Sequence, residues 1–163
     1  MTSVNPSLEH IAQFERDTPD DKAIVMLNLL RFRARADYGE GAAPGLAGVT
    51  GREAYSRYGK AVLPLLWEVG GQVLWMGNAR AGIIVPDGES WDEVVLVHYP
   101  SRRAFLRMVR SDAYQAIMHH RTAALADSRL VETRAVSLPR WVLGLARRAL
   151  RMKTLLVPRV GRG

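Results

Sequence analysis

The chain of 163 residues contains no cysteine and no run of the roughly 18 consecutive apolar residues that a membrane span needs. The lack of cysteine excludes a disulfide framework and thiolate catalysis. Residues 1–6 include neither a basic nor an apolar stretch, so we expect no secretory signal and a cytoplasmic protein. Phosphate-binding glycine motifs and the G-x-S-x-G elbow of serine hydrolases are also missing. The sequence therefore gives no support for a phosphate-binding glycine loop or for a serine hydrolase.

Positive charge is concentrated at one end of the chain. The net charge is +7, and seven of the 23 Lys and Arg residues but none of the 16 Asp and Glu residues lie in 135–163. The remaining 16 basic residues balance the acidic ones. The sequence thus predicts a neutral domain over 1–134 and a basic extension over 135–163. The net positive charge therefore bears on the binding partners of the extension and not on the ligand of the domain.

Hydrophobic periodicity predicts the order β-α-β-β-α-β after a short leading helix over 7–17. Thr50 and Glu53 form a capping-box pattern at the start of a helix that extends to about Val69. Strands are predicted at 23–32, 72–81, 93–99 and 128–134. Ser101 is expected to cap a helix that Ser111 and Asp112 interrupt, and a second helical stretch continues to Leu125. This order indicates an α+β, ferredoxin-like fold with a four-stranded antiparallel sheet and helices on one face. Residues 33–49 are rich in glycine and are expected to form a mobile loop of the kind that often acts as a lid.

Four segments in order resemble the domain-of-unknown-function family 1330: MLNLLRF, REAYSRYGKAVLPLLWEVGGQVLWMG, WDEVVLVHYPSRRAFLRMV and SDAYQAIMHHRTAALADSRL. The resemblance covers about residues 22–134. It implies the dimeric α+β barrel superfamily, in which the sheets of two copies pack face to face. Such packing explains why the strand over 23–32 is apolar on both sides. Relatives in that superfamily include cofactor-free monooxygenases, isomerases, cyclases and sensors, so the resemblance implies no single activity.

Three residues are candidates for catalysis. Asn28 is a polar residue in an apolar strand, where its amide could orient a substrate or satisfy neighbouring backbone groups. His98, near a strand end, could transfer a proton or form part of the framework. His119 and His120 are adjacent on a helix and diverge by about 100°. We therefore expect no metal site, and one of the two, His119, is the candidate to face a pocket.

Aromatic side chains with polar tips are the candidates for substrate binding, although core packing is the commoner use at helical spacing. Arg31 and Arg121 could each pair with a ligand carboxylate, pair with Asp92 or Glu93, or be solvated, and a buried arginine would favour an anionic ligand. The aromatic candidates are Tyr55, Tyr58, Trp75 and Tyr114.

The basic extension has the pattern of an amphipathic cationic helix over 138–156. Trp141 lies on its apolar side, and the opposite side carries Arg140, Arg147, Arg148 and Arg151. Such a segment suits an anionic membrane surface, or it docks on the body or the dimer mate with its arginines in solvent. A nucleic-acid partner is disfavoured, because one short basic segment with one aromatic residue is a poor platform.

We therefore expect a small homodimer without cofactors or metals, acting on a small hydrophobic organic molecule as a monooxygenase, isomerase or cyclase. One alternative is a non-catalytic protein that binds or senses such a molecule. Another is an interaction module recruited to a membrane or partner by its basic extension. A catalytic site requires His98 or His119 to share a pocket with Asn28 and a tyrosine.

Overall fold

The computed structural model describes residues 3–16, 22–40 and 43–135. In chain order the elements are α1 (Leu8–Arg16), β1 (Ile24–Phe32), α2 (Gly51–Glu68), β2 (Gln72–Asn78), β3 (Glu93–Tyr99), α3 (Arg102–Val109), α4 (Asp112–Ala124) and β4 (Leu125–Thr133). The strands form one antiparallel sheet in the order β2-β3-β1-β4. This is the ferredoxin-like arrangement, and the fold expected from the sequence is confirmed.

The helices begin where the sequence places their caps. The Thr50 hydroxyl accepts the Glu53 N–H at 3.2 Å while the Glu53 carboxylate accepts the Thr50 N–H at 2.7 Å, so the capping box over α2 is complete. Ser101 accepts the N–H of Ala104 at the start of α3. These short-range contacts fix the ends of the helices that cover the sheet.

The helices cover one face of the sheet, and the buried core lies between the two layers. On β1 this face carries Ile24, Met26 and Leu30, which are at most 4% exposed. On β3 it carries Val95 and Tyr99, which pair in register with Asn28 and Ile24. We call this side of the sheet the helix face.

The opposite face combines seven apolar side chains with charged groups such as Arg31 and Asp127, and no element among the described residues covers it. Alternation along the strands and their register place one set of side chains there. Its β1 and β3 members are only partly buried, and Trp75 is 53% exposed. We call it the open sheet face, and its apolar members are Val25, Leu27, Leu29, Trp75, Val94, Leu96 and Val131.

Two strand boundaries differ from those expected. β2 ends at Asn78 rather than near Ala81, and its register with β3 shifts between Val73 and Trp75. β4 begins at Leu125 rather than at Ser128, because α4 passes into the strand without a turn. Leu125 is fully buried in the same core cluster as Leu30. This burial favours the strand conformation at Leu125, although the sequence pattern there predicts a helix.

The basic extension from residue 136 onward, including the arginines at 140, 147, 148 and 151, lies outside the described residues. Within the described ranges, none of the helices is both long and apolar enough to cross a membrane.

Candidate functional site

Four tyrosines lie together between the helix layer and the helix face of the sheet. Tyr55 and Tyr58 are on consecutive turns of α2, with ring centroids 5.4 Å apart. The hydroxyl of Tyr58 lies 3.2 Å from that of Tyr114 on α4. Tyr99, on β3, packs in the same core region as Tyr114. We call these four residues the tyrosine cluster.

Burial keeps the hydroxyls of the cluster neutral. Desolvation raises the pKa of Tyr55, Tyr58 and Tyr99 well above the ordinary value, and the mutual repulsion of the tyrosine charges raises it further. Neutral hydroxyls can donate hydrogen bonds to an oxygen atom. The hydroxyls of Tyr55 and Tyr99 have no hydrogen-bond partner among the described residues.

Asn28 is on the helix face of β1, on the same side of the sheet as the tyrosine cluster. Its Nδ2 donates to the carbonyl oxygens of Met26 and Val95, each at 3.3 Å. Its Oδ1 has no donor among the residues that the structure describes. The amide is thus held by the sheet through one end and keeps an acceptor at the other.

Two charged groups act on the cluster. Glu93, at the start of β3, pairs with Arg52 at 3.2 Å, yet burial raises the pKa of its carboxyl group despite that pairing. Arg121, on α4, is only 7% exposed, and its charge partly opposes the rise in the pKa of Tyr55 and Tyr58. Phe32 packs against Tyr55 with ring centroids 5.3 Å apart and ring planes tilted by 52°, and it lies beneath the guanidinium of Arg52.

Three predicted site residues lie on the other side of the sheet. His98, Arg31 and Trp75 belong to the open sheet face by register, whereas Asn28 is on the helix face. Arg31 pairs with Asp127 at 3.6 Å, and Nδ1 of His98 is buried without a partner among the described residues. The expected meeting of His98 with Asn28 in one pocket is therefore wrong within a single chain, because successive strand residues point to opposite faces.

His119 is exposed on α4 and does not join the tyrosine cluster. Its Nδ1 lies 2.8 Å from the carbonyl oxygen of Ala116 in its own helix. His120 packs against it with ring centroids 3.9 Å apart, and its Nδ1 lies 2.8 Å from the hydroxyl of Tyr38. Burial, then His119 and Arg57, lower the pKa of His120. No group of three or more potential metal ligands occurs in the described part of the chain.

The loop between β1 and α2, which the sequence predicts to be mobile, contacts the helix layer through its described parts. The N–H of Asp37 donates to the carbonyl of Ala123 at 2.9 Å, and Ala36 donates to Val49 at 2.9 Å. Tyr38 and Val49 pack against the buried cluster that includes Leu30. Its role as a lid stays a prediction.

Three residues near the site were not predicted as site residues from the sequence: Glu93, Tyr99 and Tyr38. A carboxylate at the start of an apolar strand and a tyrosine at the end of the same strand carry no distinctive motif. Their spacing was the available signal, because alternate residues of a strand point to the same face, and Glu93 and Tyr99 therefore share a face with Val95. Arg121 is, with Arg31, one of the two arginines that the sequence offers as partners for a ligand carboxylate, but no local pattern predicts its burial.

Comparison with known proteins adds a family and solved relatives. The family model of DUF1330, a domain of unknown function, matches residues 45–134. A crystal structure of a protein of unknown function from Rhodopseudomonas palustris is 38% identical, with a TM-score of 0.74, covering 85% of this chain and 100% of that one. The methylated form of the same protein gives a TM-score of 0.76 at 38% identity, covering 84% of this chain and 98% of the other. A search of curated proteins found no match.

Proposed function

The chain belongs to the family of DUF1330, a domain of unknown function, and from that premise we propose that it binds a small, largely apolar organic molecule at the tyrosine cluster. The observation that carries this proposal is the pair of tyrosine hydroxyls, on Tyr55 and Tyr99, that lack hydrogen-bond partners among the described residues. Neither hydroxyl is completely buried, because the buried side-chain polar atoms without a partner among the described residues are Nε of Arg31, Nε of Arg33 and Nδ1 of His98. Both hydroxyls are therefore open to a bound molecule. These hydroxyls and Oδ1 of Asn28, which lies on the same side of the sheet, supply two donors and an acceptor beside aromatic rings. Such a combination suits an apolar molecule bearing one or two oxygen atoms.

Analysis of the small molecules that co-purify with the protein tests this proposal. The full chain, Asn28→Leu and Asn78→Leu are purified in parallel, denatured and extracted, and the extracts are compared by mass spectrometry. Asn78 is the matched control, because it is exposed on β2 and its oxygen accepts from Arg52 at 3.3 Å and from no other donor in the described part of the chain.

We expect a compound that is enriched with the native chain and with Asn78→Leu, and that falls at least tenfold with Asn28→Leu, which loses the acceptor. Circular dichroism confirms that each variant is folded. Equal recovery of the compound from all three proteins would contradict binding at the helix face, and so would extracts that match a protein-free blank.

We further propose that two copies pair through the open sheet face. This surface carries apolar side chains on all four strands, and no described element covers it. Strands with apolar side chains on both faces are typical of a sheet that is covered by another layer on each side. A second copy offers the same surface, so a two-fold pair buries both faces at once.

Light scattering coupled to size-exclusion chromatography tests the pairing. One chain has a mass of 18.1 kDa, so the native protein is expected at twice that mass. Leu96→Lys places a charge on the open sheet face and is expected to give single chains, whereas Trp67→Lys, on the exposed side of α2, leaves the pair intact. Native protein that elutes as single chains would overturn the proposed homodimer.

Proton-transfer catalysis, as in an isomerase or cyclase, is the second candidate, and the state of Glu93 favours it. Its carboxyl has a raised pKa, and its charge acts on Tyr55 of the cluster. A carboxylate with a raised pKa is a stronger base than an ordinary one. Once the ligand is identified, Glu93→Gln is expected to abolish its conversion while leaving its binding within about threefold. Unchanged conversion would remove Glu93 from catalysis.

A further inference from the structure

Arg121 is a buried cation whose hydrogen-bond partners are all neutral. Its side chain extends from α4 toward β4 and the N-terminal segment. Nη1 donates to the carbonyl oxygen of Val4 at 2.6 Å and more weakly to Oδ1 of Asn5 at 3.4 Å, and Nη2 donates to Oγ of Ser128 at 3.2 Å. These acceptors hold the guanidinium in place but leave its charge uncompensated.

No acidic side chain among the described residues forms an ion pair with Arg121. The carboxylates on neighbouring strands are engaged elsewhere, Asp127 with Arg129 at 2.6 Å and Glu93 with Arg52 at 3.2 Å. A guanidinium stays protonated in proteins. A buried charge without a counter-ion is costly, and the usual remedy is an anion.

The uncompensated charge lies on the same side of the sheet as the tyrosine cluster. Ser128, which accepts from Arg121, pairs in register with Leu30 and therefore shares the helix face with Asn28. The charge of Arg121 also acts on Tyr55 and Tyr58. The tyrosines do not supply the missing negative charge, because their hydroxyls stay neutral.

We propose that the molecule bound at the tyrosine cluster is an organic acid, and that Arg121 binds its carboxylate group. This inference rests on the proposed binding function and adds the charge of the ligand to it. The four tyrosines surround the apolar part of the molecule, and the guanidinium N–H groups that are not bonded to Val4, Asn5 and Ser128 are left to donate to a carboxylate. Neutral molecules of the same shape leave the buried cation unpaired and bind more weakly.

A matched pair of probes tests the inference with the full chain. Isothermal titration compares 2-naphthoate with 2-naphthamide, which has nearly the same shape but no charge. The variants are Arg121→Gln, Arg121→Lys and the control Arg107→Gln, which removes the same charge from an exposed position on α3. Salt concentration is held constant, because screening changes the affinity for an anion.

We expect the native chain and Arg107→Gln to bind the acid at least tenfold more tightly than the amide. Arg121→Gln is expected to bind both probes alike, and Arg121→Lys to keep part of the preference. Equal affinity of the native chain for both probes overturns the inference and leaves the binding function standing, and this comparison holds even if Arg121→Gln fails to fold. Failure of the native chain to bind either probe at millimolar concentration counts against the binding function itself.

Discussion

Gly51 is the point where the β1–α2 loop, the start of α2 and the end of α4 meet, and its replacement by alanine tests this junction. A methyl group at Gly51 would lie 2.4 Å from the carbonyl oxygens of Ala124 and Arg33 and 2.7 Å from the nitrogen of Arg33. All three are backbone atoms and cannot rotate away. Two hydrogen bonds depend on the same contact: Arg33 N–H to Ala124 at 2.8 Å, and Gly51 N–H to Arg33 at 3.1 Å.

The expected loss of stability follows from these contacts. Each hydrogen bond contributes about 1 kcal/mol, and overpacking at a site of this kind costs roughly 1–3 kcal/mol. Gly51→Ala should therefore lower the free energy of unfolding by about 4 kcal/mol and Tm by roughly 12 °C. Urea unfolding at one fixed protein concentration measures it, since association of two chains would add to the apparent stability.

Gly59→Ala is the matched control on the same helix. A Cβ at Gly59 would meet nothing within 4 Å, so the substitution should stabilise α2 by about 0.5–1 kcal/mol through helix propensity. A loss of less than 1 kcal/mol in Gly51→Ala, with Gly59→Ala stabilising as expected, would refute the close packing at the junction.

Three further predictions concern single contacts. In a double-mutant cycle, Tyr58→Phe and Tyr114→Phe should show a coupling of about 1 kcal/mol in urea unfolding, because their hydroxyls share one hydrogen bond; a coupling near zero would contradict the contact. The pKa of His120 is lowered in the folded protein, so folding stability should fall as the pH drops below its ordinary value of 6.5 and through the folded pKa. His120→Gln should flatten that dependence, and a slope equal to that of the native chain would exclude His120 as the cause. Ser101→Ala should cost about 1 kcal/mol by removing the cap of α3, measured by thermal unfolding, and no change in Tm would contradict the role of the cap.

Local signals in the sequence were enough to predict the elements and their order. Helix caps depend on residues three apart in the chain, so Thr50 with Glu53 and Ser101 with the first turn of α3 mark helix starts directly. The apolar strand with one asparagine was equally distinct. These features involve neighbours in sequence, and sequence patterns report such neighbours well.

Which residues meet at the site depends on the register between strands and on contacts between distant parts of the chain, and sequence patterns indicate both only weakly. Strand alternation states which residues of one strand share a face, but the register between strands decides whether Asn28 and His98 share one. The register places Asn28 opposite Val95 and His98 opposite Val25, which separates them. Arg121 is buried because the N-terminal segment at Val4 passes over it, a contact across 117 positions of the chain that no local pattern encodes.

The position of a bound acid relative to the two faces of the sheet tests the central claim most directly. Nuclear Overhauser contacts between the ring protons of bound 2-naphthoate and selectively labelled tyrosine and tryptophan rings report that position. We predict contacts to Tyr58 and Tyr114 in the helix layer and none to Trp75. Contacts to Trp75 without any to the tyrosine cluster would place the ligand on the open sheet face and contradict the account.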